Sequence, residues 1–251
     1  MSSSPRPSSD PLPSVLFVPG IGMPPQALGA VRWALAAPSA VWQRPGYRAT
    51  EPGSSFDAVV DQLSDAIAEL RPSIVVGISG GATLALAWAL RTSAVFGPGS
   101  VERVIVHEPF LGGLVPELDH NVASLAARIG DDSSLADILA FLDTVYGEHH
   151  RRRFPPEWVD RNSITIADEI RMIPEFEPTL ADLGSIDRSI LATVGELSPV
   201  FRRQANEVLA SAGVETLLLP GAGHLPPIDQ PELFVRLIER ELDAEVRSTA
   251  A

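Results

Sequence analysis

The chain has 251 residues, 45% of them hydrophobic and 20% charged, which is the composition of a folded globular protein and excludes a wholly disordered chain. Acidic residues outnumber basic ones 32 to 19, for a formal charge of −13, and a surface of that sign repels phosphate backbones and argues against a nucleic-acid partner. There is no cysteine, hence no disulfide scaffold, no thiol nucleophile and no Cys-ligated zinc. No apolar run reaches the roughly 18 residues that a membrane span needs.

Residues 1–13 are rich in Ser and Pro and lack the apolar core of a secretory signal, so they read as a disordered leader on a cytoplasmic protein. Val15-Leu16-Phe17-Val18 is a buried strand that runs into the Gly-rich turn Pro19-Gly20-Ile21-Gly22. A helix follows Pro24-Pro25, with Leu28, Val31 and Leu35 on one face. Ala40-Val41-Trp42 is a short strand. Phe56, Val59, Val60, Leu63, Ile67 and Leu70 recur at helical spacing behind an N-cap at Ser54 or Ser55.

Residues 73–78 form the next buried strand, Ser79-Gly80-Gly81 the turn after it, and residues 82–91 an Ala/Leu-rich helix. Further strands are predicted over 101–107, 189–194 and 214–219, and a last helix opens near Asp229 and Pro231 with Leu233, Leu237, Ile238 and Leu242 facing inward. Apolar strands alternating with helices imply a parallel α/β sheet covered on both faces. The alternation fails over residues 111–185. There Val122, Leu125, Ala126 and Ile129, then Leu135, Ile138, Leu139, Leu142 and Val145, repeat with helical period. We expect a core of residues 14–110 and 186–251 and a helical cap inserted at 111–185.

Gly77-Ile78-Ser79-Gly80-Gly81 fits G-x-S-x-G. The pattern alone is common, and Ser79 could be a helix N-cap in a tight turn. Its place between a strand and a helix is what a nucleophile elbow requires: the glycines allow a strained turn that lifts the serine hydroxyl off the sheet. A serine hydroxyl needs a base. Of the five histidines, His224 lies in Gly221-Ala222-Gly223-His224-Leu225-Pro226, past the last strand and on the same sheet edge as Ser79. His149 and His150 adjoin Arg151-Arg152-Arg153 in what reads as a solvated helix end, His120 reads as exposed, and His107 ends a strand as a structural residue.

The order serine, acid, histidine on alternating strands and helices resembles the α/β-hydrolase family from about residue 14 to 242. The resemblance implies an α/β-hydrolase fold without the family's usual two opening strands. It makes Pro19-Gly20-Ile21-Gly22 the counterpart of the oxyanion loop, with the N–H of Gly20 or Ile21 and that of Gly80 holding the oxyanion. The acid has two candidates. The family's usual position, in Gly195-Glu196-Leu197-Ser198, carries Ser198, with Glu196 two residues early; the alternative is Glu108 in His107-Glu108-Pro109.

Zearalenone lactonases place their acid at the latter point. They are similar to this chain at Ser79-Gly80-Gly81, at His107-Glu108-Pro109 and at the His224 loop, so the resemblance favours Glu108. It also suggests Trp158, in Phe154-Pro155-Pro156-Glu157-Trp158, as a substrate-binding residue; the other reading is a Trp closing the insertion's own small core. The expectation is a serine hydrolase of a hydrophobic ester or lactone that needs no metal and no organic cofactor, with no membrane partner. A C–C bond hydrolase on the same scaffold and a non-catalytic receptor of a small hydrophobic signal are the alternatives.

Overall fold

The computed structural model describes residues 14–47, 55–92, 101–130, 133–147, 152–186 and 189–249. The expected leader, Ser54, His149 and His150 lie outside them. The continuous apolar runs become β1 (Val15–Val18), β3 (Ile74–Ile78), β4 (Arg103–His107) and β5 (Ile190–Gly195), and their residues are buried nearly throughout. Such strands can only be central and covered on both faces. The half-buried β2 (Ser39–Val41) and the largely exposed β6 (Glu215–Leu219) are the edges. The six strands are all parallel, in the order β2-β1-β3-β4-β5-β6, with register such as Val18 opposite Gly77 and Ile78 opposite His107.

This strand order positions the site. The chain leaves β1 for β2 in one direction, then crosses back so that β3 pairs with the other side of β1. The connections beyond the carboxyl ends of β1 and β3 diverge there and open a crevice. The residues bordering it are the Pro19–Gly22 turn and Ser79.

Helix α1 (Gly29–Ala34) follows a 3-10 turn at Pro25–Leu28, and Leu28, Val31 and Leu35 are buried as the spacing predicts. Helix α2 (Phe56–Leu70) starts at Ser55, whose hydroxyl accepts from the Ala58 N–H at 3.2 Å, and buries Phe56, Val59, Val60, Leu63 and Ile67. Helix α3 (Gly80–Arg91) is buried on all sides from Gly80 to Ala89. Its small residues are the reason it can lie close under the sheet while another helix covers it.

Between β4 and β5 the described residues form helices only: α4 (Pro116–Ala126), α5 (Leu135–Tyr146), α6 (Pro156–Arg161), α7 (Ser163–Met172) and α8 (Leu180–Gly184), with 3-10 turns at Gly112–Leu114 and Ile173–Glu175. The core closes with α9 (Val200–Ser211), α10 (Pro226–Asp229) and α11 (Pro231–Thr249). Leu237 and Ile238 are buried, as expected, and Phe234 and Val235 join them. No helix among the described residues is long and apolar enough to cross a membrane.

Candidate active site

Ser79 is the hinge between β3 and α3, with φ 54° and ψ −123°, a conformation that costs a non-glycine residue on the order of 1–3 kcal/mol. The flanking glycines explain how it is reached. A Cβ on Gly77 would lie 2.6 Å from the Ala82 Cα, and one on Gly81 would collide with the carbonyl oxygens of Val18 and Pro19. The turn therefore tightens against its own helix and under the β1 loop. The Ser79 N–H donates to the His107 carbonyl at 2.8 Å, and the Ser79 carbonyl accepts from the Ala82 N–H at 2.7 Å, which hold the turn.

His224 lies in the loop between β6 and α10. That loop crosses Gly195 so closely that a Cβ there would be 2.5 Å from the carbonyl oxygens of Ala222 and Gly223. Its ring presents Nε2 to Ser79 Oγ at 3.1 Å and Nδ1 to Glu108 Oε2 at 2.5 Å.

Glu108 directly follows β4 with φ 53°, a second strained non-glycine residue, and its carboxylate is buried. Oε1 accepts from the Gly195 N–H at 3.0 Å and from the Ser198 hydroxyl. Oε2 faces His224 and the Arg202 Nε at 3.3 Å. Buried His107 bonds Thr193 Oγ1 through Nδ1 at 2.9 Å and places Nε2 3.6 Å from Glu108. Glu196, the other candidate acid, is engaged elsewhere: its exposed carboxylate accepts from the Gly221 N–H at 2.7 Å and braces the histidine loop. His120 is exposed on α4.

The Pro19–Gly22 turn lies over the start of α3. A Cβ on Gly80 would be 2.7 Å from Ile21 Cγ1, and one on Gly20 would be 3.2 Å from the Ile78 carbonyl oxygen. Gly20, Ile21 and Gly80 are thus neighbours beside Ser79, and the Gly80 N–H is one of the helix-end donors that lack an intrahelical partner. Four buried or half-buried side chains hold this turn. Arg44 donates to the Gly20 carbonyl at 2.5 Å, Tyr146 to that of Ile21 at 2.8 Å and Trp158 Nε1 to that of Gly22 at 3.1 Å; the Gly22 N–H donates to Glu169 at 3.0 Å. Arg44 and Glu169 pair at 2.9 Å, with side chains only 2% and 7% exposed, and Tyr47 donates to Glu169 at 2.7 Å while stacking on Trp158 at 5.5 Å and 9°.

A profile of the Alpha/beta hydrolase family matches residues 15–237. The chain belongs to the alpha/beta hydrolase family. Several solved structures are similar to this chain. The enol-lactonase from Burkholderia xenovorans LB400 has 15% identity over 94% of this chain and 94% of that one, with a TM-score of 0.68. A meta-cleavage product hydrolase from Pseudomonas fluorescens IP01 has 19% identity over 92% and 90%, with a TM-score of 0.67. A thermophilic esterase from Thermogutta terrifontis has 19% identity over 92% and 89%, with a TM-score of 0.64. At such identities the likeness is one of fold. No curated protein sequence matches the chain.

The donor atoms of His107, Glu108 and His224 lie within 4.8 Å of one another. A tetrahedral zinc with bonds of about 2.0–2.2 Å sets its ligand atoms roughly 3.4 Å apart, wider than the 2.5 Å between His224 Nδ1 and Glu108 Oε2. The arrangement suits a shared proton. Burial would raise the Glu108 pKa, but the charges of His224 and His107, the hydrogen bond from His224 and the charge of Arg202 outweigh it and hold this carboxyl far below the usual range. Burial lowers the His224 pKa below its ordinary 6.5, Arg202 adds to that, and Glu108 opposes it.

A pH dependence follows from these directions. With His224 acting as a base, which must be neutral, kcat/KM is expected to rise with pH through its titration and reach half its maximum below pH 6.5. A pH–rate profile measures this; a midpoint above 6.5 would contradict it.

The sequence reading did not find Arg44, Tyr146, Glu169 or Arg202. One signal was present: Glu169 sits among the buried residues Ile166 and Ile170 of α7, where a lone carboxylate needs a partner.

Proposed function

We propose that the protein is a serine hydrolase that cleaves carboxylic esters or lactones of hydrophobic small molecules, with Ser79 as nucleophile, His224 as base and Glu108 as the acid that orients it. The observation that carries this reading is the unbroken chain from Ser79 Oγ to His224 Nε2 at 3.1 Å and from His224 Nδ1 to Glu108 at 2.5 Å. Ser79 Oγ forms a bond to the substrate carbonyl carbon, its proton passes to His224 Nε2, and the carbonyl π pair moves onto oxygen. The N–H groups of Gly80 and of Ile21 or Gly20 stabilise that oxyanion. When it collapses, the bond to the leaving oxygen breaks and His224 returns the proton to it. Water, activated by His224, then hydrolyses the acyl-enzyme and frees the acid.

The helices over 111–185 would roof the crevice and select the substrate, as a cap does. Ile21 and Ile173 beside Gly80 favour an apolar acyl group. The resemblance to zearalenone lactonases at the serine, glutamate and histidine motifs supports a lactone, including a macrolactone. A hydrolysis screen over aryl esters, simple lactones and macrolactones tests the reading. Repeated turnover of at least one class is expected. A single stoichiometric burst would point to a receptor, and cleavage confined to a vinylogous diketone to a C–C bond hydrolase.

Trp158 is half-buried on α6, tied to Gly22 and Tyr47, next to the turn that would bind the oxyanion. We read it as a substrate wall as well as a brace. Trp158→Ala should cost every substrate some rate, and a bulky aromatic ester about tenfold more than a small acetate, the worth of one aromatic contact. Steady-state kinetics on the two esters measure the difference; equal losses would leave Trp158 only the bracing role.

A further inference from the structure

We propose that the Tyr146 hydroxyl is a catalytic hydrogen-bond donor to the oxyanion of the tetrahedral intermediate, so that the helical segment over the sheet supplies chemistry as well as a roof. The proposal rests on the serine-hydrolase reading above. Tyr146 is the last residue of α5, and the chain breaks from helix directly behind it at Gly147, where φ is 74°. The side chain is buried and clamped. Its ring stacks on the His224 imidazole at 5.5 Å and 17°, and meets Phe154 edge-on at 5.3 Å and 71°.

The hydroxyl reaches the turn beside Ser79. It donates to the Ile21 carbonyl at 2.8 Å, and its ring lies on the imidazole that faces Ser79 Oγ. A Cβ on Gly20 would lie 2.6 Å from it, so the turn must carry glycine there for the tyrosine to come this close. The phenol oxygen therefore sits at the junction of nucleophile and oxyanion turn, the region where a substrate carbonyl oxygen becomes negative.

In the resting enzyme its proton is held by a neutral carbonyl. An oxyanion is the stronger acceptor, and charge-assisted hydrogen bonds are roughly twice as strong as neutral ones. Turning the O–H from Ile21 to the oxyanion requires rotation about one C–O bond, with the ring already fixed, which is the preorganisation that makes such donors effective. Burial pushes the Tyr146 pKa well above its ordinary value, so the group remains a neutral donor and does not give up its proton. Stacking on His224 also explains why the donor is an aromatic phenol: the same ring steadies the imidazole plane.

Tyr146→Phe tests this, because it keeps both ring contacts and removes only the hydroxyl. On 4-nitrophenyl acetate we expect kcat to fall about 10²-fold, the cost of one oxyanion donor, with KM changed less than about threefold. Phenyl acetate should lose as much, since an oxyanion donor acts before the leaving group departs. Labelling of Ser79 by a fluorophosphonate should slow in parallel. A kcat within about threefold of wild type, a loss confined to KM, or a loss that grows with leaving-group basicity would each overturn the proposal, the last by making Tyr146 an acid for the leaving group.

If the Phe variant does not fold by circular dichroism, fluorotyrosine at position 146 serves instead. A more acidic phenol should raise kcat, and an unchanged kcat would overturn the proposal. A wild-type protein that neither turns over esters nor labels with the fluorophosphonate would sink the serine-hydrolase reading itself. An active wild type with an equally active Phe variant would sink only the role of Tyr146.

Discussion

Ser79→Ala is expected to lower kcat on an aryl ester by about 10⁶-fold while the protein stays folded. The size follows from the site: His224 Nε2 faces Ser79 Oγ at 3.1 Å, and without that oxygen no acyl-enzyme forms, so only binding and the oxyanion donors remain. The fold should tolerate the change because the strain at Ser79 is in the backbone, at φ 54°, and alanine has the same Cβ and meets the same strain. The turn is held by main-chain bonds to His107 and Ala82 that the substitution does not touch. Kinetics on the purified variant and its thermal unfolding check both halves. Activity above a tenth of wild type would remove Ser79 from the mechanism; collapse of the fold would show that its hydroxyl carries structural weight that these contacts do not predict.

What the sequence showed and what it hid follow one physical line. The strands were legible because β1, β3, β4 and β5 are buried on both faces and so are written as unbroken apolar runs. Ser79 was legible because its turn needs glycine at two positions where backbone passes close by, and that need leaves a local pattern, Gly77 and Gly81. Helices α4 and α5 were visible from period alone; α6, α7 and α8 carried no such repeat in the reading.

The clamp on the Pro19–Gly22 turn was not visible. Its Gly22–Glu169 bond joins residues 147 apart and its Tyr47–Glu169 bond residues 122 apart, and nothing local to Arg44 or Tyr47 announces the partner. Tyr146 was hidden for the opposite reason. At the end of an apolar helix it reads as core, and its ring contacts are core contacts; only the hydroxyl, placed against Ile21 by the tertiary fold, distinguishes it. The choice of acid lay between these extremes. Ser198 at the family's usual acid position looked like a missing charge, whereas in the fold its hydroxyl donates to the carboxylate that comes from the neighbouring strand.

That arrangement makes the acid the sharpest test. Glu108→Gln should lower kcat by about 10⁴-fold, and Glu196→Gln by less than about fivefold. Oε1 of Glu108 accepts from the Gly195 N–H and the Ser198 hydroxyl, so in the glutamine variant the side-chain oxygen is held on that side. The amide NH2 must then face His224 Nδ1. It can only donate there, which forces the proton onto Nε2, the nitrogen that has to accept from Ser79. Arg202, left 3.3 Å from a neutral group, adds an unpaired charge and a loss of stability. Glu196 has none of these links; its exposed carboxylate accepts one N–H, from Gly221, and glutamine can accept it as well. Rates of the two purified variants on one aryl ester, with circular dichroism for folding, decide the matter. A dead Glu196→Gln beside an active Glu108→Gln would move the acid to the ordinary family position and leave the strained, five-partnered Glu108 as a structural residue.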